Sequence, residues 1–447
     1  MLTHSRPALK PTAQADNPDV ALARALVDRI FAGVRDPVGL ALPDGTLLRA
    51  VPDPTATVII REPGVLRALM TRSTDLGAGE ALLHGDIAVE GDAESAFAAF
   101  DAVGARRTPR EWAGIVALSM RLPKVHSAAG KGERGPARLR GKLHSPERDQ
   151  EAIAYHYDIS NDFYRLWLDE QMTYSCAYFQ RAADTLEQAQ LQKYDLICRK
   201  LRLREGDRFL DIGCGWGGLV RFAAREYGAE AVGITLSTNQ ASLARERIRS
   251  EGLASRCRVE LVDYRCLAPL GVFDKAASVG MVEHVGHALF PAYFESMYAA
   301  LRPGGMFLNH GIIAQHGRSR GLRALADKFF PHRSRFVETY VFPDGQLPEL
   351  AAMSAAAEDA GFEVRDVENL REHYALTLRH WVKRLEANQD RARAIAGDTA
   401  YNVWRFYMAG SAHSFNAGRI GVVQMLLARR DAAGRVDVPL TRDDIYR

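Results

Sequence analysis

A glycine-rich turn between a predicted strand and a predicted helix constrains this chain more than any other feature. The segment Asp211–Gly218, DIGCGWGG, follows the apolar run RFLDI and opens a helical pattern. Glycines let a ligand approach the backbone closely, and the first turn of a helix presents N–H groups that have no partner within the helix. The glycine spacing alone also fits a dinucleotide-binding loop or any tight strand-to-helix turn. Because the backbone is accessible and its N–H groups are free, we predict a small-molecule site at this turn.

Short apolar runs alternate with helical patterns through residues 150–447. The runs RFLDI, EAVGIT, RVELV, FDKAASV and MFLNHGI are rich in strand-forming residues, and a helical segment or a long connection separates each from the next. Such alternation predicts a parallel sheet with helices on both faces, a doubly wound α/β fold. From about Arg371 to the end we expect mainly helix. The glycine-rich turn would then lie at the carboxyl edge of the sheet, where ligands bind in folds of this class.

The length of 447 residues exceeds one compact core, so we expect more than one domain. Residues 1–17 are aperiodic and are expected to form a flexible tail. Residues 18–122 combine a helical pattern with a hairpin signal at Asp44-Gly45, which predicts a small α+β domain. Residues 121–148 hold eight Lys or Arg against two Glu. We therefore expect 123–149 to be a basic, flexible linker that leads into the larger domain at 150–447.

Composition and charge exclude several classes of protein. The net charge of +3 is too small to indicate a nucleic-acid-binding protein. The five cysteines show no paired metal-ligand spacing, so we expect reduced thiols in the cytoplasm and no metal site. The chain has no apolar signal segment at its start and no run of about eighteen apolar residues, so we expect it to be neither exported nor membrane-spanning.

The order of residues around the glycine-rich turn resembles motif I of the class I methyltransferases, in which an acid precedes the glycines. The next predicted strand leads into TLSTNQ, without the acid that NAD-binding sheets place there, and Gln240 would take its role. The segments YHYDISNDFYRLWLD, MTYSCAYF, LDIGCGWGGL, SVGMVEHVGH, LRPGGMFLNHGI and LREHYALTL resemble, in the same order, those of the cyclopropane-fatty-acyl-phospholipid synthase family and its mycolic-acid cyclopropane synthases. The resemblance covers nearly all of residues 150–430. It implies a Rossmann-like class I methyltransferase domain that follows the smaller α+β domain.

The resemblance also implies a methyl donor, S-adenosylmethionine, and a set of site residues. The residues that match the family's cofactor pocket are Tyr174, Ser175, Asp211, Gly213, Cys214, Gly215, Trp216, Gly217, Thr235, Leu236, Gln240, Tyr264, Arg265 and Gly280. The residues that match its catalytic cluster, which holds a bicarbonate ion as the general base, are Tyr157, Cys176, Glu283, His310, Ile312 through its backbone, and Tyr374. Taken alone, each residue has an ordinary interpretation, such as a buried thiol or an aromatic ring in a core. Their combination in the family's order favours the catalytic interpretation.

The chemistry of the family explains why such residues would be needed. An alkene is a weak nucleophile, so methyl transfer to it creates a carbocation, and closure of a three-membered ring then requires the loss of a proton. Bound bicarbonate would accept that proton. The ring faces of Tyr157, Tyr174 and Tyr178 would stabilise the positive charge. Water has to be excluded because it would trap the cation as an alcohol.

The expected product is a cyclopropane ring on an unsaturated acyl chain of a phospholipid, because LGAGEALLHGDIAVEGD resembles the lead-in domain of the phospholipid-acting members. Rearrangement of the carbocation followed by loss of a different proton would give a methylene- or methyl-branched chain instead, and YVFPDG and LREHYALTL also resemble relatives of that kind. A non-enzymatic lipid-binding protein is an alternative of another class, suggested by the N-terminal domain and the basic linker.

The basic linker further predicts peripheral association with the anionic inner face of the membrane. A homodimer is left open.

Overall fold

The computed structural model describes residues 17–71, 75–125, 135–137, 139–157, 159–315 and 334–446. The expected tail, apart from Asn17, and part of the expected linker lie outside these residues. The chain divides into two units. The smaller unit takes in the described parts of Met1–Gly135, Arg333–Tyr340 and Gly397–His413. The larger unit takes in those of Pro136–His332, Val341–Ala396 and Ser414–Arg447.

The smaller unit is built on a four-stranded sheet of order β2-β1-β3-β4. Its elements before residue 120 are, in chain order, α1 (Pro18–Ile30), β1 (Val38–Ala41), β2 (Leu47–Arg49), β3 (Ala56–Ile60), α2 (Gly64–Thr71), α3 (Asp75–Leu83), β4 (Ile87–Gly91), α4 (Ala93–Arg106) and α5 (Pro109–Ser119). Strands β1 and β2 pair antiparallel, which confirms the hairpin predicted at Asp44-Gly45. Strand β1 pairs with β3 in parallel. Helix and sheet residues share one apolar core that includes Leu26, Val38 and Val58.

The larger unit contains a seven-stranded sheet of order β10-β11-β9-β8-β5-β6-β7. The elements from residue 146 onward are, in chain order, α6 (Pro146–Tyr157), α7 (Asn161–Arg165), α8 (Leu186–Leu201), β5 (Arg208–Ile212), α9 (Gly218–Glu226), β6 (Glu230–Thr235), α10 (Thr238–Ser250), β7 (Cys257–Leu261), β8 (Phe273–Val279), α11 (Val282–Val285), α12 (Phe290–Ala300), β9 (Leu301–Ala314), α13 (Arg335–Tyr340), α14 (Leu350–Asp359), β10 (Glu363–Asn369), α15 (Arg371–Ala387), α16 (Gln389–Asn416), β11 (Ile420–Ala428) and α17 (Asp443–Tyr446). Short 3-10 helices lie at Tyr264–Cys266, Ala268–Leu270 and His287–Leu289. Helix α6 begins within the segment that was expected to be a linker.

The five predicted strands are confirmed as β5 to β9, and these five pair in parallel. The mainly helical end expected from about Arg371 is confirmed by α15, α16 and α17, but strands β10 and β11 were not predicted and make the sheet mixed. Strand β11 pairs antiparallel with both β9 and β10. Its residues from Gly421 to Ala428 are all buried, because β11 lies between two strands and apolar side chains cover both of its faces.

Strand order reverses at the carboxyl end of β5. The chain leaves β5 toward β6 and β7 on one side and then returns to β8 and β9 on the other. A doubly wound sheet opens a crevice at such a point, because consecutive connections run to opposite faces. The glycine-rich turn after β5 lies at this point.

Later segments of the chain complete the smaller unit. The guanidinium of Arg405 donates to Val89 O at 2.9 Å and to Gly91 O at 3.1 Å, on the edge strand β4. The ring of Phe336 packs so closely on α3 that a Cβ at Gly79 would lie 2.1 Å from it. Helix α16 is broken at Gly397, whose φ of 80° lies in the left-handed region that favours glycine. The smaller unit is therefore discontinuous in sequence.

Across the residues that the structure describes, no helix is long and apolar enough to cross a membrane.

Candidate active site

The turn after β5 has a backbone that depends on glycine. Gly213, Gly215 and Gly217 have φ angles of 74°, 54° and 77°, in the left-handed region. The N–H groups of Gly213 and Cys214 donate to Ile234 O at 3.0 and 2.9 Å, which fixes the turn to the neighbouring strand β6. At Gly218, a Cβ would lie 2.1 Å from the hydroxyl oxygen of Tyr194. A side chain at Gly218 would therefore collide with Tyr194, and the positive φ angles favour glycine at the other three positions.

A pocket opens beside this turn, within the larger unit. Thirteen of the fourteen residues expected to bind the cofactor line it, namely Tyr174, Ser175, Asp211, Gly213, Cys214, Gly215, Trp216, Thr235, Leu236, Gln240, Tyr264, Arg265 and Gly280. The remaining residue, Gly217, is the N-cap of α9 and does not line the pocket. Tyr157, expected to be catalytic, lines it as well. The structure therefore brings the motifs that follow β5, β6 and β8 to one place.

Neutral polar groups follow β6 at the pocket wall. The Thr235 hydroxyl donates to Gln240 Oε1 at 2.8 Å, and the Ser237 side chain caps α10 by accepting from the Gln240 N–H at 3.2 Å. Gln240 is buried. These contacts hold its amide at the position where many nucleoside-binding sheets carry an acid.

Aromatic rings form one side of the pocket. The Tyr157 ring lies 6.0 Å from that of Tyr174 and 6.1 Å from that of Trp216, both edge-to-face. The indole N–H of Trp216 donates to Asn161 Oδ1 at 2.7 Å, which fixes the indole. Tyr178 does not line the pocket, and its ring stacks on His373 at 4.8 Å. The structure thus places Tyr157 and Tyr174, but not Tyr178, where their rings can face a bound molecule.

Charged groups on the pocket wall are strongly desolvated. Burial raises the pKa of Asp211 to about 7, although the nearby positive charge of Lys193 opposes the shift. Arg265 forms ion pairs with Asp263 at 2.6 Å and with Asp149 at 3.0 Å. The ammonium of Lys193 donates to Ser175 Oγ at 2.8 Å. The pocket therefore combines one buried acid, one buried ammonium and one guanidinium that two carboxylates neutralise.

A second polar cluster adjoins the pocket at the ends of β8 and β9. The Gly280 N–H, at the pocket, donates to His310 O at 2.8 Å. His310 Nδ1 lies 3.2 Å from Gln424 Nε2 of β11, and Glu283 Oε1 accepts from the Ile312 N–H at 2.6 Å. Within the described part of the chain, His310 Nε2 and Glu283 Oε2 are buried and have no hydrogen-bond partner. Such atoms are costly unless a ligand or water satisfies them.

Burial sets the protonation of this second cluster. The pKa of Glu283 is raised to about 7 by burial, against the opposing effect of the Ile312 hydrogen bond. The pKa of His310 lies well below its usual value because the ring is buried and the charges of Lys193 and Lys200 repel a proton. His310 is therefore neutral at physiological pH, and Glu283 can exchange a proton close to neutrality.

Cys176 and Tyr374 share a backbone anchor. Leu370 O accepts from the Tyr374 N–H at 3.1 Å and lies 3.7 Å from Cys176 Sγ. Burial raises the pKa of the Cys176 thiol, so it stays protonated. The Tyr374 ring packs against Phe415 at 4.7 Å and Trp381 at 6.0 Å. These contacts join the two residues to each other.

Three charged or imidazole side chains, Lys193, Asp149 and His284, are among the lining residues that the sequence interpretation missed. Lys193 lies within α8, where a lysine ordinarily faces solvent, and nothing in its spacing distinguishes it from the helix's exposed charges. Asp149 belongs to a segment interpreted as linker. His284 follows Glu283 directly, and burial together with His144 lowers its pKa to about 4.

Comparisons with known proteins agree with this geometry. A family model described as mycolic acid cyclopropane synthetase matches residues 144–425. A probable fatty acid methyltransferase of Pseudomonas putida is 43% identical over 413 residues, which cover 92% of this chain and 96% of that protein. Cyclopropane mycolic acid synthase 3 of Mycobacterium tuberculosis is 39% identical over 281 residues, or 62% of this chain and 96% of that protein.

Solved structures show the same relationship. A mycolic acid cyclopropane synthase, crystallised with SAH and CTAB, superposes with a TM-score of 0.58 and 35% identity, over 62% of this chain and 98% of its own. A coclaurine N-methyltransferase with 20% identity and a TM-score of 0.55 shares the fold. The expected class I methyltransferase fold is thus confirmed, and the chain belongs to the mycolic acid cyclopropane synthetase family.

Proposed function

We propose that this protein transfers the methyl group of S-adenosylmethionine to the cis double bond of an unsaturated fatty acyl chain of a phospholipid, and that a cyclopropane ring results. The observation that carries the proposal is a pocket in which the glycine-rich turn meets the rings of Tyr157, Tyr174 and Trp216. Such rings suit a reaction in which positive charge develops beside them. The relative crystallised with SAH supports the same class of methyl donor.

The lining residues of the pocket offer groups suited to each part of the methyl donor. The turn at Gly213 and Gly215 leaves backbone room for its methionine part, and Thr235 and Gln240 offer polar groups for its ribose. When bound, S-adenosylmethionine would supply an electrophilic methyl group. Tyr157 and Tyr174 would orient the acceptor and exclude water from the cation that forms on the acyl chain.

The second cluster fits a small anion. Glu283 Oε2 and His310 Nε2 are the two buried atoms that could bind it, and the Ile312 N–H would act through Glu283, to which it already donates. Cys176 and Tyr374 are the further residues that the family resemblance assigns to the anion. A bound bicarbonate would supply the base that removes a proton from the added methyl group. Because its pKa is about 7, Glu283 could hold or release the proton that such an anion exchanges.

The acyl substrate is proposed from the length of the shared region. The fatty acid methyltransferase relative matches 92% of this chain, including the smaller unit, whereas the mycolic acid synthase matches only 62%. A lipid with an ordinary fatty acyl chain therefore suits this chain better than a mycolic acid. The same observation favours a second candidate outcome, a methyl- or methylene-branched chain, because this relative is named for methyl transfer and not for ring formation.

Lipid analysis tests the proposal. Phospholipids from cells that express the protein should gain 14 mass units per modified chain, and ozonolysis should no longer cleave the modified chain because the alkene is lost. If the chain gains 14 mass units but ozonolysis still cleaves it, the product is the methylene-branched chain and not the ring. An unchanged lipid profile, with soluble and folded protein, would contradict lipid methylation.

Substitution of Glu283 separates chemistry from donor binding. Glu283→Gln should bind S-adenosylhomocysteine as tightly as the wild type but lose turnover by about a hundredfold or more, because Glu283 lies outside the donor pocket and beside the expected proton acceptor. Affinity by calorimetry and turnover by donor consumption, both with and without added bicarbonate, measure the two effects. Full turnover of this variant in bicarbonate-free buffer would rule out the role proposed for Glu283.

The raised pKa of Glu283 predicts a pH-dependent stability. Between its ordinary value of 4.5 and about 7 the folded state binds a proton that the unfolded state has lost, so stability falls as pH rises through this range. Glu283→Gln lacks this titration and should therefore gain stability relative to the wild type from pH 5 to pH 8, by up to about 3 kcal/mol. Chemical denaturation at several pH values measures the difference, and a difference that does not change with pH would show that the carboxyl titrates normally.

Peripheral binding to an anionic membrane is proposed from the basic segment at 121–148, which carries eight Lys or Arg against two Glu. Each basic residue near such a surface contributes about 1 kcal/mol before screening. Binding to vesicles with anionic lipid should therefore weaken as salt increases and should be weaker on neutral vesicles. Vesicle binding that changes with neither salt nor anionic lipid content would contradict this role of the basic segment.

A further inference from the structure

The side chain of Lys193 is the least expected group in the pocket. It projects from α8, is 1% exposed and lines the pocket between Ser175 and Asp211. Burial lowers its pKa to about 8, although nearby Asp169 favours the charged form. The group is therefore mostly an ammonium ion at neutral pH, in a place from which water is largely excluded.

Few groups contact this ammonium, whose Nζ lies over the Tyr194 ring, 4.6 Å from its centroid. Within the described residues its one hydrogen bond goes to Ser175 Oγ at 2.8 Å, and no carboxylate oxygen lies within 4.0 Å of Nζ. An ammonium has three protons to donate and cannot accept. A buried charge left in this state is costly unless an ion of opposite sign joins it.

The contact with Lys193 also fixes the direction in which the Ser175 hydroxyl can donate a hydrogen bond. Because Lys193 can only donate, Ser175 Oγ is the acceptor in their hydrogen bond. The hydroxyl proton of Ser175 must therefore point away from the ammonium. Ser175 lines the pocket too, so one ammonium and one hydroxyl can both donate to a single acceptor there.

The other fixed cation on the pocket wall is already neutralised. Arg265 bonds to Asp263 and Asp149 and donates to His144 O at 3.0 Å. Lys193 therefore remains as the counter-charge for an anionic group of a ligand. With Asp211, an acid whose pKa is about 7, it gives the pocket one cation and one group that can become negative, which suits the amino-acid end of S-adenosylmethionine.

We propose that Lys193, together with the hydroxyl of Ser175, binds the carboxylate of the methyl donor's methionine part. The inference rests on the proposed function, because it assumes that the pocket takes this donor. The carboxylate is favoured over the small anion of the second cluster, since Lys193 and Ser175 line the donor pocket, whereas Glu283, His310 and Cys176 do not.

Two ligands that differ at the amino-acid end test the assignment. S-Adenosylhomocysteine carries the carboxylate, and 5′-methylthioadenosine keeps the adenosine and the sulfur but lacks the whole amino-acid end. In calorimetric titrations of the full chain, Lys193→Met should weaken binding of S-adenosylhomocysteine by about tenfold or more and change that of 5′-methylthioadenosine by less than about twofold. Ser175→Ala should show the same selectivity to a smaller degree.

A matched control exists on the same helix. Lys200 is also fully buried, but it forms an ion pair with Glu368 and does not line the pocket. Lys200→Met removes a buried ammonium from α8 as well, and it should leave the ratio of the two affinities unchanged. Circular dichroism and a cooperative thermal transition show that each variant is folded.

Three results would overturn the assignment while leaving the proposed function intact. They are unchanged affinity of Lys193→Met for S-adenosylhomocysteine with unchanged turnover, an equal loss of affinity for both ligands, and unchanged affinity with a raised bicarbonate requirement for turnover. The last would assign Lys193 to the small anion instead. Failure of the wild type itself to bind S-adenosylhomocysteine would instead contradict the proposed function.

Discussion

Desolvation of ionisable groups at the carboxyl edge of the larger sheet is the constraint on which the rest of this site depends. Four such groups are buried there: Asp211, Glu283, Lys193 and His310. Burial shifts the pKa of each in the direction that favours the uncharged form. Such groups reduce stability, so a large apolar core has to offset them. That core includes fully buried side chains as large as Trp167 and Trp381.

The same burial makes the groups useful. In surroundings of low polarity a charge acts more strongly on its neighbours than it does in water, and its protonation responds to a ligand. The backbone at Gly311 allows the close packing that positions one of these groups, Glu283. A Cβ at that position would lie 2.3 Å from Val282 Cγ1, so the missing side chain lets α11 approach β9. Glu283 can then accept the hydrogen bond from Ile312.

The sequence predicts the part of this architecture that local patterns encode. The runs from RFLDI to MFLNHGI alternate with helices, and the acid before the glycines identifies the turn, so β5 to β9 and the position of the pocket follow. Strand β11 was not foreseen, because IGVVQMLLA is apolar along its length and its antiparallel partners lie about 60 and about 110 residues earlier in the chain. Lys193 was missed for a related reason. Its burial and its contact with Ser175 arise from tertiary packing of α8, which the local pattern does not encode.

The contribution of Arg405 to the edge of β4 has a consequence for biosynthesis. As the chain leaves the ribosome, the four strands of the smaller sheet are all made before residue 92, but the guanidinium that bonds to the carbonyls of Val89 and Gly91 arrives more than three hundred residues later. Phe336, which packs on Gly79, is also made late. For most of synthesis this sheet therefore has an open edge that can pair with another strand. The smaller unit can reach its final form only after nearly the whole protein has been made, although its first residues emerge earliest.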